Sequence, residues 1–265
     1  MKLQFLFIVS ILLLINISCK KKSDPVPNSP SSGNCHIKQV RSGSMVQNME
    51  YIDGKISRVT TTYVGAKNKI HISELKYYKD SVIEVLKDRL YDYVFKYNIG
   101  ANGKVEHMST KSPILGINGI PTVFDYSTTY YEYDNDGYLV KKEIISWRIR
   151  EDGSYSDKST HTAIYTIDNG NIVSKTEFRD GTFTNETLYE YDTDLINRKG
   201  NGKLYSTWPE VYGKMSRNLL KKEITENSVK EYFYDLDQYG NVIKQKVSSN
   251  GGSATTAIEV VYDCD

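Results

Sequence analysis

The sequence predicts an all-β protein: one antiparallel meander of about a dozen strands forming a large curved sheet or open barrel, soluble and lipid-tethered. Three observations predict it. Twenty-two tyrosines stand against seven phenylalanines and two tryptophans, and tyrosine suits half-buried pleated surfaces, with its ring packed and its hydroxyl wet. A single hairpin-like pattern recurs along the chain, and helical periodicity is largely absent.

The chain opens MKLQFLFIVSILLLINISC. Lys2 supplies a positive start, Phe5 to Ile15 forms an apolar core broken only by Ser10, and the small Ser18 precedes Cys19. The apolar run is too short to cross about 30 Å of hydrocarbon comfortably, so residues 1–18 are expected to be a cleaved signal peptide. The junction resembles the lipobox of bacterial lipoproteins, with Asn16 where leucine is usual, which implies a lipidated Cys19.

Residues 19–34 continue with Lys20-Lys21-Lys22-Ser23-Asp24-Pro25 and hold almost no apolar residue beyond Val26. Such a segment buries too little surface to fold and is expected to be a disordered tether. Residues 35–265 are expected to form a single β-meander domain.

Within that domain, a strand ending aromatic-x-aromatic meets a turn of Asp, Asn and Gly, and the next strand begins with apolar residues and a lysine. The clearest copies run from Tyr131-Glu132-Tyr133-Asp134 through Gly137 to Lys141, and from Tyr232-Phe233-Tyr234-Asp235 through Gly240 to Lys244. Weaker copies begin at Tyr51, Phe95, Tyr165 and Tyr189. Asp at the turn start accepts from amides two residues on, and Gly supplies positive φ. Asp53-Gly54 and Asn169-Gly170 suit two-residue turns. Alternation puts Tyr131 and Tyr133 on one face and Glu132 on the other, and groups Ile258, Val260, Tyr262 and Cys264 opposite Glu259. The stretch Leu195 to Leu220 breaks the pattern and is expected to be a long loop with a short helical turn. Charges in Lys141-Lys142-Glu143 and Lys221-Lys222-Glu223 argue against a membrane-spanning barrel, whose outer band faces lipid.

The Tyr-x-Tyr-Asp-x-x-Gly-x-Leu signature resembles the tyrosine-aspartate repeats of bacterial Rhs-type shells. The whole plan of lipobox, Ser/Pro tether, Tyr-Asp hairpins and a late Lys/Asn-rich loop is more closely similar to Bacteroidota lipoproteins of an uncharacterised family with a porin-like β fold. The resemblance covers roughly residues 45 to 265. It implies fold and a location at the outer membrane, and brings no catalytic residues.

Chemistry is sparse. Net charge is +1 with the leader's Lys2 included, which lacks the basic excess of a nucleic-acid-binding surface. His36, His71, His107 and His161 show no metal-ligand spacing. Asp134-x-Asp136 and Asp235-x-Asp237 hint at calcium, but the twelfth loop position of the latter is Lys246, where a bidentate Glu belongs, and turn closure is their better use. No metal, no cofactor and no catalytic residue is implied. Loops of β domains carry binding residues, so Trp208 with Tyr205 and Tyr212 is the candidate binding patch, and Trp147 is read as core. Once lipid takes Cys19, Cys35 and Cys264 are the two cysteines left, and an even pair in an exported chain points to a disulfide.

The expected function is therefore a non-catalytic cell-envelope lipoprotein, anchored to the outer membrane and binding a protein or glycan partner through loops. The alternatives are a structural or assembly scaffold with no ligand site, and third an envelope hydrolase.

Overall fold

The computed structural model describes residues 35–65, 69–87, 91–115, 121–149, 153–156, 158–198 and 212–264. All regular elements among them are strands. They are β1 (Cys35–Ser42), β2 (Met45–Ile52), β3 (Lys55–Tyr63), β4 (Lys69–Tyr77), β5 (Ser81–Lys87), β6 (Asp92–Ile99), β7 (Val105–Leu115) and β8 (Pro121–Tyr133). The second half holds β9 (Leu139–Ile149), β10 (Ser159–Asp168), β11 (Asn171–Arg179), β12 (Thr182–Ile196), β13 (Asn218–Thr225), β14 (Ser228–Leu236), β15 (Val242–Ser249) and β16 (Thr255–Cys264).

Each strand pairs antiparallel with its sequence neighbours, and β1 pairs with β16, so the sheet closes into a sixteen-strand barrel. This corrects the expected dozen strands in a curved or open sheet. The Tyr-Asp signature marks only some of the hairpins, so strands joined by unsigned turns, such as Lys55–Tyr63 and Lys69–Tyr77, are hard to count. Closure itself comes from accumulated twist and stagger, which no local motif encodes. The seam is stapled: Cys35 and Cys264 are register partners joined by a disulfide, with Cα atoms 4.1 Å apart.

The signed turns work as their residues dictate. Asp53 (φ 50°) and Gly54 (φ 71°), like Asn169 (φ 49°) and Gly170 (φ 81°), hold the two positive-φ positions of a type I′ turn. Asp134 accepts from the Gly137 amide on its carbonyl at 3.0 Å and from the Tyr138 amide on Oδ1 at 2.8 Å. Asp237 repeats this, its Oδ1 accepting from the Tyr239 and Asn241 amides, both at 2.8 Å.

Alternation decides the inside. Tyr131 is buried and Glu132 exposed, while Val260 is buried beside the exposed-face Glu259, as the sequence predicts. The packed core draws Ile37, Val40, Met49, Val59, Leu75, Val82, Tyr97, Val105, Tyr131 and Val260 from β1 to β8 and β16.

Six inward tyrosines repeat one contact. In β1, β3, β7, β11, β13 and β15, pairing with the preceding strand shifts register around one extra residue: Lys38, Ser57, Glu106, Val173, Lys221 and Ile243. The carbonyl of the residue just before each extra one accepts from a phenol on the following strand. The pairs are Tyr51 to Ile37, Tyr77 to Ile56, Tyr133 to Val105, Tyr191 to Ile172, Tyr234 to Leu220 and Tyr262 to Val242, all at 2.7–3.0 Å. A bulge disrupts its ladder locally, and the phenol gives the carbonyl there an acceptor's partner. Two positions in this series depart from the arrangement, each for a local reason. Pairing of β4 with β5 has no shift, and Tyr97 on β6 donates to the Glu84 carboxylate at 2.8 Å instead. The β9 bulge at Val140 has no such phenol, because β10 carries Ile167 in the second aromatic position of its motif.

Candidate functional site

The residues just before β13 return into the barrel. The Lys214 amide donates to the Gly137 carbonyl and the Arg217 amide to the Gly170 carbonyl, both at 2.8 Å. Gly213 makes the entry possible: at φ +86° its backbone lies so close that a Cβ would stand 2.6 Å from the Gly137 carbonyl and 2.7 Å from the Tyr133 ring. The preceding Tyr212 ring lies against Tyr131 (5.2 Å between centroids) and edge-on to Tyr97 (6.3 Å). Burial pushes its phenol well above the usual range, with Tyr131 adding to the rise.

Beyond this insert the lumen is open. A cavity of about 470 Å³ is walled by Tyr165, Tyr189, Tyr191, Tyr212, Tyr232 and Tyr234, with Leu139, Ile172, Leu219, Leu220 and Met215 between them. It falls within the roughly 300–1,000 Å³ typical of small-molecule pockets, which are largely apolar with a few placed polar groups. Three of these phenols are spent: Tyr191 on the Ile172 carbonyl, Tyr234 on Leu220, and Tyr232 on Glu223 Oε2 at 3.2 Å. Tyr165 and Tyr189 have no hydrogen-bond partner among the described residues, and burial raises both phenols, that of Tyr189 further helped by the Glu223 charge.

Inward charges gather beside Tyr165. Register places Lys175 directly across from Tyr165, Glu177 across from Ala163, and Lys142 on the other side of Ala163. Lys175 Nζ lies 3.0 Å from Glu177 Oε2, and His161 Nε2 lies 3.7 Å from Glu177 Oε1. Burial pushes the Glu177 carboxyl up, but hydrogen bonds from Lys175 and Asn185 and the Lys175 charge hold it below the ordinary carboxylate value. Glu223 at the cavity wall is matched by Lys230 at 2.8 Å. Lys142 has no ion-pair or hydrogen-bond partner among the described residues, and burial, with the Lys175 charge, lowers its pKa against the opposing pull of the Glu177 charge.

The expected site residues fall differently. Cys19, Tyr205 and Trp208 lie outside the described residues. Tyr212 is no loop-surface residue: its ring is inside the barrel, because Gly213 turns the segment inward. The expected helical turn is absent from the described part of that stretch, residues 195–198 and 212–220. Trp147 is not core either. It stacks on Tyr126, 5.9 Å between centroids, with Lys158 Nζ 5.8 Å from its ring, on the parity opposite to the inward Thr129 and Tyr131. The charge triplets divide between faces, so Lys142 and Glu223 point inward while Lys141 and Lys222 point outward. The four histidines sit on β1, β4, β7 and β10, and no group of three or more His, Cys, Asp or Glu side chains suited to a metal assembles among the described residues. The inward cluster of Lys142, Lys175, Glu177, Tyr165 and Tyr189 escapes sequence inspection. Its only local signal is parity, since Lys142 shares a face with Ile144.

Two solved structures show the same architecture. A porin-like protein from Bacteroides vulgatus superposes with a TM-score of 0.59 at 16% identity, covering 86% of this chain and 99% of that one. A porin-like protein from Bacteroides uniformis gives 0.52 at 12% identity, covering 86% and 96%. At this identity the likeness establishes the fold: a closed, porin-like antiparallel barrel. No protein-family model and no curated protein matches the chain.

Proposed function

We propose that this protein is a non-catalytic lipoprotein of the cell envelope, whose barrel stands in water, is held to the outer membrane through lipid on Cys19, and acts as a receptacle. One observation carries the proposal: the outward face of the barrel is laced with cross-strand ion pairs. Lys38–Asp263, Lys87–Glu74, Lys141–Glu132, Lys222–Glu231, Lys244–Glu259 and Lys246–Asp235 join neighbouring strands at 2.8–3.9 Å. A lysine facing the bilayer midplane costs about 2–4 kcal/mol, and folded domains have only about 5–15 kcal/mol to spare. The porin-like fold is therefore used here with a wet outside. The partner is held in the tyrosine-walled lumen rather than on a loop patch.

Two measurements test this. Fatty-acid labelling in cells should mark the wild-type chain and fail for Cys19→Ala, which should leave the membrane fraction. A chain starting at Lys20, exported to an oxidising compartment, should be monodisperse in detergent-free buffer. A requirement for detergent would overturn the water-exposed barrel, and unchanged membrane partition of Cys19→Ala would overturn the anchor.

A further inference from the structure

We propose that the lumen binds an amphipathic organic carboxylate, its apolar body among the cavity tyrosines and its carboxylate between Lys142 and the Tyr165 and Tyr189 hydroxyls. The inference deepens the receptacle reading and rests on it.

Three observations converge on this chemistry. The cavity wall is mainly aromatic ring and aliphatic side chain, a surface for an apolar body. The inward charges beside it do not balance: Lys230 is matched by Glu223, whereas Lys175 and Lys142, the latter next to the cavity wall and not part of it, have the single Glu177 carboxylate between them, in contact with Lys175 and only at longer range from Lys142. A half-buried ammonium that must share a carboxylate already in contact with Lys175 and His161 is costly to hold, and a second anionic group would complete it. The two phenols without a hydrogen-bond partner among the described residues stand on the strands to either side of Lys175, β10 and β12. Tyr165 is its direct register partner, and Tyr189 is two residues beyond Thr187, which pairs Lys175 from β12. Both are neutral O–H donors at ordinary pH, since burial raises them. A carboxylate accepts from phenols and ammonium alike in short, charge-assisted bonds. A neutral sugar would leave Lys142 unpaired, and a cationic amphiphile would face Lys142 and Lys175 together.

The experiment titrates the mature protein with octanoate, octanol, octyltrimethylammonium and cellotriose, each below any micelle-forming concentration, reading heat and tyrosine fluorescence. Octanoate should bind one to one and at least about tenfold more tightly than octanol, the discrimination expected of one charge-assisted contact. Lys142→Met, which keeps the side-chain volume, should remove that preference while leaving octanol binding within about twofold. Tyr165→Phe with Tyr189→Phe should weaken octanoate and spare octanol. Met215→Trp, which fills the cavity, should abolish both. Equal binding of octanoate and octanol, or octanoate binding indifferent to Lys142→Met, would overturn the carboxylate assignment and leave the receptacle standing. Cellotriose binding alone would replace the carboxylate with a glycan. Failure of all four probes would overturn the receptacle itself.

Discussion

The phenol of Tyr234 donates to the Leu220 carbonyl at 2.7 Å, immediately before Lys221, the extra residue in β13. The same arrangement recurs at five other bulges, so the tyrosine-rich repeats are structural parts first. Removing the hydroxyl leaves a half-buried carbonyl without that partner, so Tyr234→Phe should destabilise the barrel by about 1–2 kcal/mol. Tyr130→Phe, on the outward face and 44% exposed, should change stability by less than about 0.5 kcal/mol. Urea-denaturation midpoints compare them. Equal effects would remove the bulge-bonding role.

The disulfide spans a sequence separation of 229 residues, and chain-entropy arithmetic for such a loop gives up to about 5 kcal/mol. Replacing Cys35 and Cys264 together by serine should lower the denaturation midpoint substantially, and reductant should do so in the wild type. Reductant should leave the double variant unchanged.

Alkaline pH should unfold the protein cooperatively. The phenols of Tyr97, Tyr131, Tyr133, Tyr165, Tyr189, Tyr212 and Tyr262 are all raised, with burial as the leading cause. An acid whose folded value lies above its unfolded one keeps full stability below the unfolded value, near pH 10, and loses it as pH rises further. Each such tyrosine contributes a slope of up to about 1.4 kcal/mol per pH unit above that point. Absorbance at the phenolate band should therefore rise in two stages. Outward tyrosines should ionise near pH 10, and inward ones only together with loss of β-sheet circular dichroism. A single gradual titration with the sheet intact would contradict the burial described.

Gly213→Ala and Gly181→Ala separate backbone strain from crowding. Both glycines have positive φ, but a Cβ on Gly181 meets nothing within 4 Å, whereas one on Gly213 meets the Gly137 carbonyl and the Tyr133 ring. Gly181→Ala should cost about 1–2 kcal/mol, the ordinary left-handed penalty. Gly213→Ala should cost clearly more and should loosen Tyr212, read as a lower alkaline transition. Equal costs would mean that the 212–217 insert is not held as tightly as its contacts state.

Much of the fold is legible residue by residue, because turns and strands obey local rules. Asp53-Gly54, Asp134 to Gly137 and the Tyr131/Tyr133 face all behave as their chemistry requires, and the cysteine count leads to the right pair. What escapes is whatever depends on partners far apart in the chain. The cysteine pair ties the first ordered segment to the last strand but does not state that the two hydrogen-bond into one closed sheet, and strands without the Tyr-Asp turn go uncounted. Trp147 is misassigned because its face is fixed by pairing with Tyr126, not by its apolar character. Lys142 reads as one more surface charge until the register of β9 against β10 turns it inward.

The seam has a consequence for the order of events in folding. Strands β2 to β15 need only their immediate neighbours, so hairpins zip locally as the chain emerges, but β1 waits for the last strand before its free edge is covered. Until then each intermediate carries two unpaired backbone edges able to recruit a second chain. Loop closure across the whole domain makes that final pairing the slow event. An oxidase encountering Cys35 and Cys264 side by side would thus act as a latch on completed barrels, and chains truncated before Cys264 would remain unlatched, sticky and exposed to proteolysis.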